Sequence, residues 1–298
     1  MFFLPMIPQE RGTGYPARGS AATQAMTTIT LPPLFTSLPD AVRHGVTHLF
    51  FDIDDTVTHE GALPEPAAVS LYRAAAQGLH LVAVTGRSAA WAELLLRLFP
   101  LKAAVAETGA LCLVKSHGGR LEVLHSESSE EVRRVNTTRR TAAVDRVLRE
   151  VPGARLALDN VGRLYDTAFD LVEDGPLVDD STSAHIRSIL QHEGLEVAQS
   201  SVHINAWFGR FDKATMVERY LRECCSTSLV ELGDRLVYAG DSKNDGPMFA
   251  AAGLSVGVAN VKPHLPWLTE RGQAPRYVVN APGGHGFAEL VALLTGGR

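Results

Sequence analysis

Three short segments place acid–base or metal-binding side chains directly after apolar runs: LFFDIDDTVT (49–58), VAVTGR (82–87) and VYAGDSKND (237–245). In the first, Asp52 and Asp54 stand two residues apart, so both can point toward one pocket. Carboxylates that close repel one another unless a cation or a shared proton relieves them. Asp241 and Asp245 add negative charge from another segment and strengthen the need for a cation. Oxygen-only ligands at a strand-end cleft suit Mg²⁺, a hard ion that keeps several waters and commonly serves phosphate chemistry. The second segment brings Thr85, Gly86 and Arg87. Gly86 and Arg87 read either as a phosphate-side anchor or as an N-cap turn with a surface arginine.

These side chains can meet only if their segments are neighbouring strands, because in open α/β sheets the ligand site lies outside the carboxyl ends of the strands. The order of elements supplies this. Strand His48–Phe51 is followed by a helix over 65–77, a strand over 79–86, a helix over AAWAELLLRLF and a strand in AAVAETG, which is βαβαβ. Between about 113 and 205 the pattern loosens. Strands LEVLH, ARLALDN and RLYDTAFDL mix with helices over 141–150 and 181–193, which reads as a separate α+β unit. A helix over Lys213–Cys225, strands DRLVYAGD and LSVGVAN and a closing helix GFAELVALLT then resume the first domain. The expected fold is α/β, with a Rossmann-like parallel-sheet core (41–113 and 206–298) and an inserted α+β cap (114–205). Residues 1–40 are expected to be a disordered extension, with Met26 as an alternative start. Trp91, Leu94, Leu95, Leu98 and Phe99 recur at helical spacing and are expected in the core.

With these motifs in this order, the sequence resembles the haloacid dehalogenase (HAD) superfamily of aspartate-dependent phosphotransferases. The first motif of that superfamily matches Asp52-Ile53-Asp54-Asp55-Thr56-Val57, the second Thr85, the third Lys213 in FDKATM, and the fourth GDSKND with Asp241 and Asp245. Asp55 stands where the superfamily commonly has Gly. The resemblance implies that Asp52 attacks phosphorus and forms an aspartyl-phosphate. It implies that Asp54 protonates the leaving alkoxide and then takes a proton from the hydrolytic water. Thr85 would hydrogen-bond the phosphoryl group, and Lys213 with Mg²⁺ would neutralise its charge. Lys243 is the competing lysine. The implied metal ligands are Asp52, the backbone carbonyl of Asp54 and Asp241, with Asp245 bound directly or one step out. Dehalogenases lack the second aspartate, so Asp54 argues for phosphoryl transfer.

Insertion of a domain after the third strand, and the ETGA stretch (107–110), resemble the subgroup with a large α/β cap. That subgroup, IIB, includes Cof-like sugar phosphatases, sucrose and trehalose phosphate phosphatases and phosphomannomutase. The expected activity is therefore Mg²⁺-dependent hydrolysis of a small phosphorylated metabolite, with sugar phosphates as the expected class. The alternatives are a phosphomutase of the phosphomannomutase type and a non-catalytic binding protein on the same fold.

The stretch SSVHINAWFGRFDK (200–213) bears on the substrate. If 201–207 is extended, Ser201, His203, Asn205 and Trp207 share one face, and hydroxyl, imidazole, amide and indole suit a sugar. The competing reading has His203 and Asn205 satisfying backbone groups at a hinge while Trp207 packs as core. Composition excludes other classes. The 298 residues are 45% hydrophobic and 20% charged with net charge -5 and no basic run, so no nucleic-acid partner is expected. No apolar stretch reaches the length of a membrane span. Cys112, Cys224 and Cys225 lack the number and spacing for a disulfide framework, and MFFLPMIPQERG makes a poor signal peptide. A cytoplasmic location is expected, and nothing in the sequence chooses between a monomer and a homodimer.

Overall fold

The computed structural model describes residues 31–298 except His117, Ser201, Gly297 and Arg298. Residues 1–30, with Met26, and the Ser201 position of the 200–213 stretch lie outside the described residues.

Among the described residues, eleven strands form two sheets. In chain order they are β1 (His48–Phe51), β2 (His80–Val84), β3 (Ala103–Ala106), β4 (Leu111–Lys115), β5 (Leu121–His125), β6 (Asp166–Asp170), β7 (Glu196–Gln199), β8 (His203–Trp207), β9 (Leu236–Gly240), β10 (Leu254–Gly257) and β11 (Tyr277–Val278). The larger sheet runs β11-β10-β9-β1-β2-β3-β4-β5, and the smaller β6-β8-β7. From β1 the chain winds outward through β2 and β3, then returns to the other side of β1 with β9 and β10. All pairs between β11 and β3 are parallel. The sequence order therefore reverses at β1, and a crevice opens at the carboxyl ends of β1 and its neighbours.

Burial on both faces explains why these strands read as unbroken apolar runs. Leu49 and Phe51 pack with Phe287 and Leu290 on one face, while Phe50 packs with Val82, Tyr220 and Tyr238 on the other. Fully burying each such side chain is worth roughly 1.5–3 kcal/mol.

Several expectations need correction. Leu34 and Phe35 fall inside the segment expected to be disordered, yet Leu34 bridges to Val278 and Phe35 is fully buried edge-on to Tyr277. LEVLH pairs antiparallel with β4 and extends the large sheet, so the cap begins after His125. As a half-exposed edge strand, LEVLH has the same alternation as a cap strand, so its sequence alone does not tell the two apart. ARLALDN is no strand; Leu156 makes one bridge to Phe169, and the chain turns into a 3-10 segment at Leu158–Gly162. The first cap helix runs over Glu130–Glu150, capped by the Ser129 side chain. Its first turns bury nothing apolar, so only the later part, with Ala143, Val144 and Val147, carries a hydrophobic period. On helix Ala89–Leu98 the buried face is Ala92, Leu95 and Leu96, whereas Leu94 and Leu98 are about half exposed (48% and 56%). The small Ala92 lets the helix settle on the sheet one residue away from the expected stripe.

In the cap, helices Glu130–Glu150 and Asp180–His192 cover one face of β6-β8-β7. Ile204 and Ala206 point into that core, so alternation along β8 turns His203, Asn205 and Trp207 to the other face.

Candidate active site

The carboxyl ends of β1, β2 and β9 bring four elements together. Asp52 follows β1, and its N–H donates to the carbonyl of Ala239 on β9, which ties the two strand ends. Lys213 opens helix Lys213–Cys225, whose start is held by reciprocal Asp212 and Thr215 hydrogen bonds. The preceding turn Glu107–Gly109 presses on that start. Gly109 has φ +105°, and a Cβ there would lie 2.1 Å from the Asp212 carbonyl oxygen, so only glycine permits this approach.

Lys213 is fully buried, and its Nζ donates to Asp52 Oδ1 at 2.8 Å and Asp245 Oδ1 at 2.7 Å. Its two carboxylate partners hold the ammonium above its ordinary pKa against the opposing effect of burial. Lys243 lies instead over the Trp267 ring, 5.7 Å from its centroid, so Lys213 is the lysine at the carboxylates. Asp245 accepts from the N–H groups of Asp241 and Ser242, both at 3.0 Å, and from the Tyr238 hydroxyl at 2.5 Å. Asp241 accepts from Thr56 Oγ1 at 3.2 Å and Asn260 Nδ2 at 3.0 Å. Carboxylate oxygens of Asp52, Asp241 and Asp245 lie within 4.8 Å of one another.

Electrostatics follow from this crowding. Burial pushes the Asp52 carboxyl up to about 7, with Lys213 opposing and Asp245 and Asp54 adding to the rise. Burial, then Asp245 and Asp52, also push Asp241 well above the usual carboxylate range. One lysine cannot balance three buried carboxylates.

Asp54 turns away from this group. Both of its oxygens accept from Arg87, at 2.7 to 3.0 Å. Arg87 also donates to Glu173 of the cap at 2.8 and 2.5 Å, and Glu173 Oε2 lies 3.1 Å from His203 Nε2. The guanidinium is thus committed to two carboxylates, and positions Asp54 rather than standing free for an anion. Its backbone N–H donates to Thr85 Oγ1 at 3.0 Å. Asn205 donates to Asp166 at 2.7 Å and to the Gly86 carbonyl at 3.4 Å.

A small cavity joins Asp52 and Asp54 to Gly86, His203, Asn205 and Asn244. Through Ser200, Ser242 and Asn244 it adjoins a cleft of about 730 Å³ that reaches Trp207 on the cap and Trp267 on the core. Thr85 and Lys213 are fully buried and are not among the residues lining the small cavity. The β8 face expected to look inward does so at His203 and Asn205; Asn205 also satisfies the Gly86 carbonyl, as in the competing reading, whereas the His203 ring meets the Glu173 carboxylate.

Sequence reasoning missed Glu173 and Asn260, and gave no individual role to Thr56 or Glu107, although both stand in stretches it singled out. Asn260 could have been found, since it too follows an apolar strand. Glu107 is fully buried and accepts from the backbone N–H groups of Leu164, Tyr165 and Asp166, which fastens the cap to the core; burial, then Asp166, push it up to about 7. No local signal marks Glu173, which stands in an acidic loop.

Asp55 has φ +53°, a left-handed conformation that costs a non-glycine residue roughly 1 kcal/mol. Its N–H donates to Thr58 Oγ1 and its carbonyl accepts from Asn260, contacts that glycine keeps. Asp55→Gly is therefore expected to retain turnover and to melt at an equal or slightly higher temperature. Loss of activity in that variant alone, measured beside its melting curve, would overturn the assignment of the first motif.

No protein-family profile matches the chain, and no curated protein is similar to it. Solved structures do match. The trehalose-6-phosphate phosphatase C-terminal domain of C. albicans is 13% identical with a TM-score of 0.64, over 89% of this chain and 99% of that one. The sucrose-phosphatase of Synechocystis sp. PCC6803, solved with sucrose and phosphate, is 16% identical with a TM-score of 0.57, over 83% and 97%. A haloacid dehalogenase-like hydrolase from Bacteroides thetaiotaomicron is 15% identical with a TM-score of 0.60, over 83% and 98%. The chain shares the fold of these three structures.

Proposed function

We propose that this chain is a Mg²⁺-dependent phosphatase that hydrolyses a small phosphorylated metabolite, a sugar phosphate by class, through an aspartyl-phosphate on Asp52. The observation that carries the proposal is the meeting of Asp52, Lys213, Asp241 and Asp245 in one buried cluster beside a cavity that also holds Asp54. Asp52 is the proposed nucleophile, which divides a hard displacement into two easier ones. Lys213 would neutralise charge on the transferring group, and the Thr85 hydroxyl would donate to it. Asp54, held as an acceptor by Arg87, suits proton removal from the attacking water; its acid role needs that grip to loosen as the leaving oxygen departs.

The buried, oxygen-only donor set with excess negative charge fits a hard divalent cation. Asp52 and Asp241 would hold it with the Asp54 carbonyl, and Asp245, whose oxygens are already shared among four donors, would support from behind. When bound, Mg²⁺ would supply positive charge against the phosphoryl oxygens.

A pH-dependent stability follows. Asp52 has a folded pKa of about 7 against an ordinary value of 3.8. Between those values the folded state binds more protons than the unfolded, so stability without the cation falls as pH rises through that window. Mg²⁺ relieves the ionised cluster, so the melting-temperature gain it produces should grow from the acid to the neutral end. A gain independent of pH would contradict the cluster as its site.

The cleft of about 730 Å³ is in the size range of small-molecule sites, and its two tryptophans with amide and charged side chains suit a polyhydroxylated leaving group. A phosphate-release screen of sugar phosphates and p-nitrophenyl phosphate with Mg²⁺ tests the reading. Release of phosphate is expected, and folded protein that releases none from the whole panel would refute it.

A further inference from the structure

Both connections between core and cap border a second cavity, of about 100 Å³, which shares no lining residue with the cavity at Asp52. Its lining includes Ser126 on the outgoing connection, Arg133, Asn136 and Arg140 on helix Glu130–Glu150, and Arg210 on the return. Arg140 is only 9% exposed. Its guanidinium donates to the Tyr165 carbonyl, yet a guanidinium carries five N–H donors, and the other four have no acceptor among the described residues. Asp166 and Glu107 act on Arg140 without forming an ion pair, and burial outweighs them in lowering its pKa. The neighbouring cations leave the charge unbalanced. Arg133 donates to the carbonyls of Glu127 and Ser128, and Arg139 lies 4.1 Å over the Phe208 ring. The acid in the lining, Glu127, accepts from the Ser129 N–H. Ser126 Oγ is an independent sign, since it is buried with no partner among the described residues.

A guanidinium this buried that makes one hydrogen bond and no ion pair among the described residues is costly to keep charged, and it faces a cavity lined by two further arginines and one acid. Guanidinium forks and hydroxyls match the oxygens of a phosphoryl group. We propose that this cavity binds a small phosphoryl-type oxyanion, with Arg140 as its buried anchor, Ser126 as a neutral donor and Arg133 and Arg210 as flanking cations. An anion held there touches both connections at once and restrains movement of the cap relative to the core. None of the proposed catalytic residues lines the cavity.

Melting curves of the intact chain, with divalent cation withheld, test this using inorganic phosphate and methylphosphonate as probes. Phosphate should raise the melting temperature of the wild type and of Asp52→Asn equally, as expected for a ligand that binds only the folded state. The rise should vanish in Arg140→Gln and need several-fold more phosphate in Arg210→Gln, an exposed substitution that decides the matter if the first variant fails to fold. An equal rise with methylphosphonate identifies the phosphoryl end of a metabolite as an acceptable source, and a rise with phosphate alone identifies the free ion. No rise in the wild type, an undiminished rise in both arginine variants, or a rise that grows in Asp52→Asn and so belongs to the catalytic pocket would overturn the proposal.

Discussion

Asp52→Asn is expected to abolish phosphate release, by on the order of 10⁴- to 10⁶-fold, the scale seen when a catalytic nucleophile is removed. The amide is nearly the same size and can still accept from Lys213 Nζ, which lies 2.8 Å from Asp52 Oδ1. Its backbone N–H still bonds the Ala239 carbonyl. The substitution also removes a charge whose burial is unfavourable, as the raised Asp52 pKa indicates. The melting temperature should therefore hold or rise while turnover disappears. That dissociation separates a chemical role from a structural one, and also from a non-catalytic binding protein on this fold, whose biological effect would survive the change. Steady-state phosphate release with circular dichroism on the same sample is sufficient.

Lys213→Met should have the largest effect on stability. The side chain keeps its volume but loses the ammonium that neutralises Asp52 and Asp245 at 2.8 and 2.7 Å. Removing one partner of a buried ion pair leaves uncompensated charge and costs about 3–5 kcal/mol. Denaturant unfolding at neutral pH should read that loss, and activity should fall with it. Adding Asp245→Asn should restore part of the stability, because it deletes one stranded charge, but none of the activity. Equal stability of Lys213→Met and the wild type would mean that the three carboxylates do not depend on the lysine.

The core was legible because its strands are buried on both faces and so appear as apolar runs, with their chemistry confined to the residues just past each end. Asp52, Thr85 and Asp241 could be aligned from that rule alone. The cap was less legible. Its first helix opens with two solvent-facing turns and β8 turns polar residues toward the small cavity, so hydrophobic period marks neither boundary. The contacts that join the two units were hidden for another reason. Arg87 to Glu173 and Glu107 to the backbone of 164–166 link residues far apart in the chain; Glu107 at least stands just past an apolar strand, whereas Glu173 differs in no local feature from a solvated acid. The φ of Asp55 was likewise invisible, although the absence of the usual glycine marked the position.

The most direct test of the account is acid-quenched mass spectrometry of Asp54→Asn during turnover of p-nitrophenyl phosphate with Mg²⁺. The nitrophenolate leaves without an acid, so Asp52 can still be phosphorylated, whereas the missing base slows attack by water. A burst of nitrophenolate equal to the enzyme present, with the phosphoryl mass on the peptide holding Asp52, is the expected result. Nitrophenolate release with no burst and no covalent phosphoryl group on that peptide would contradict it.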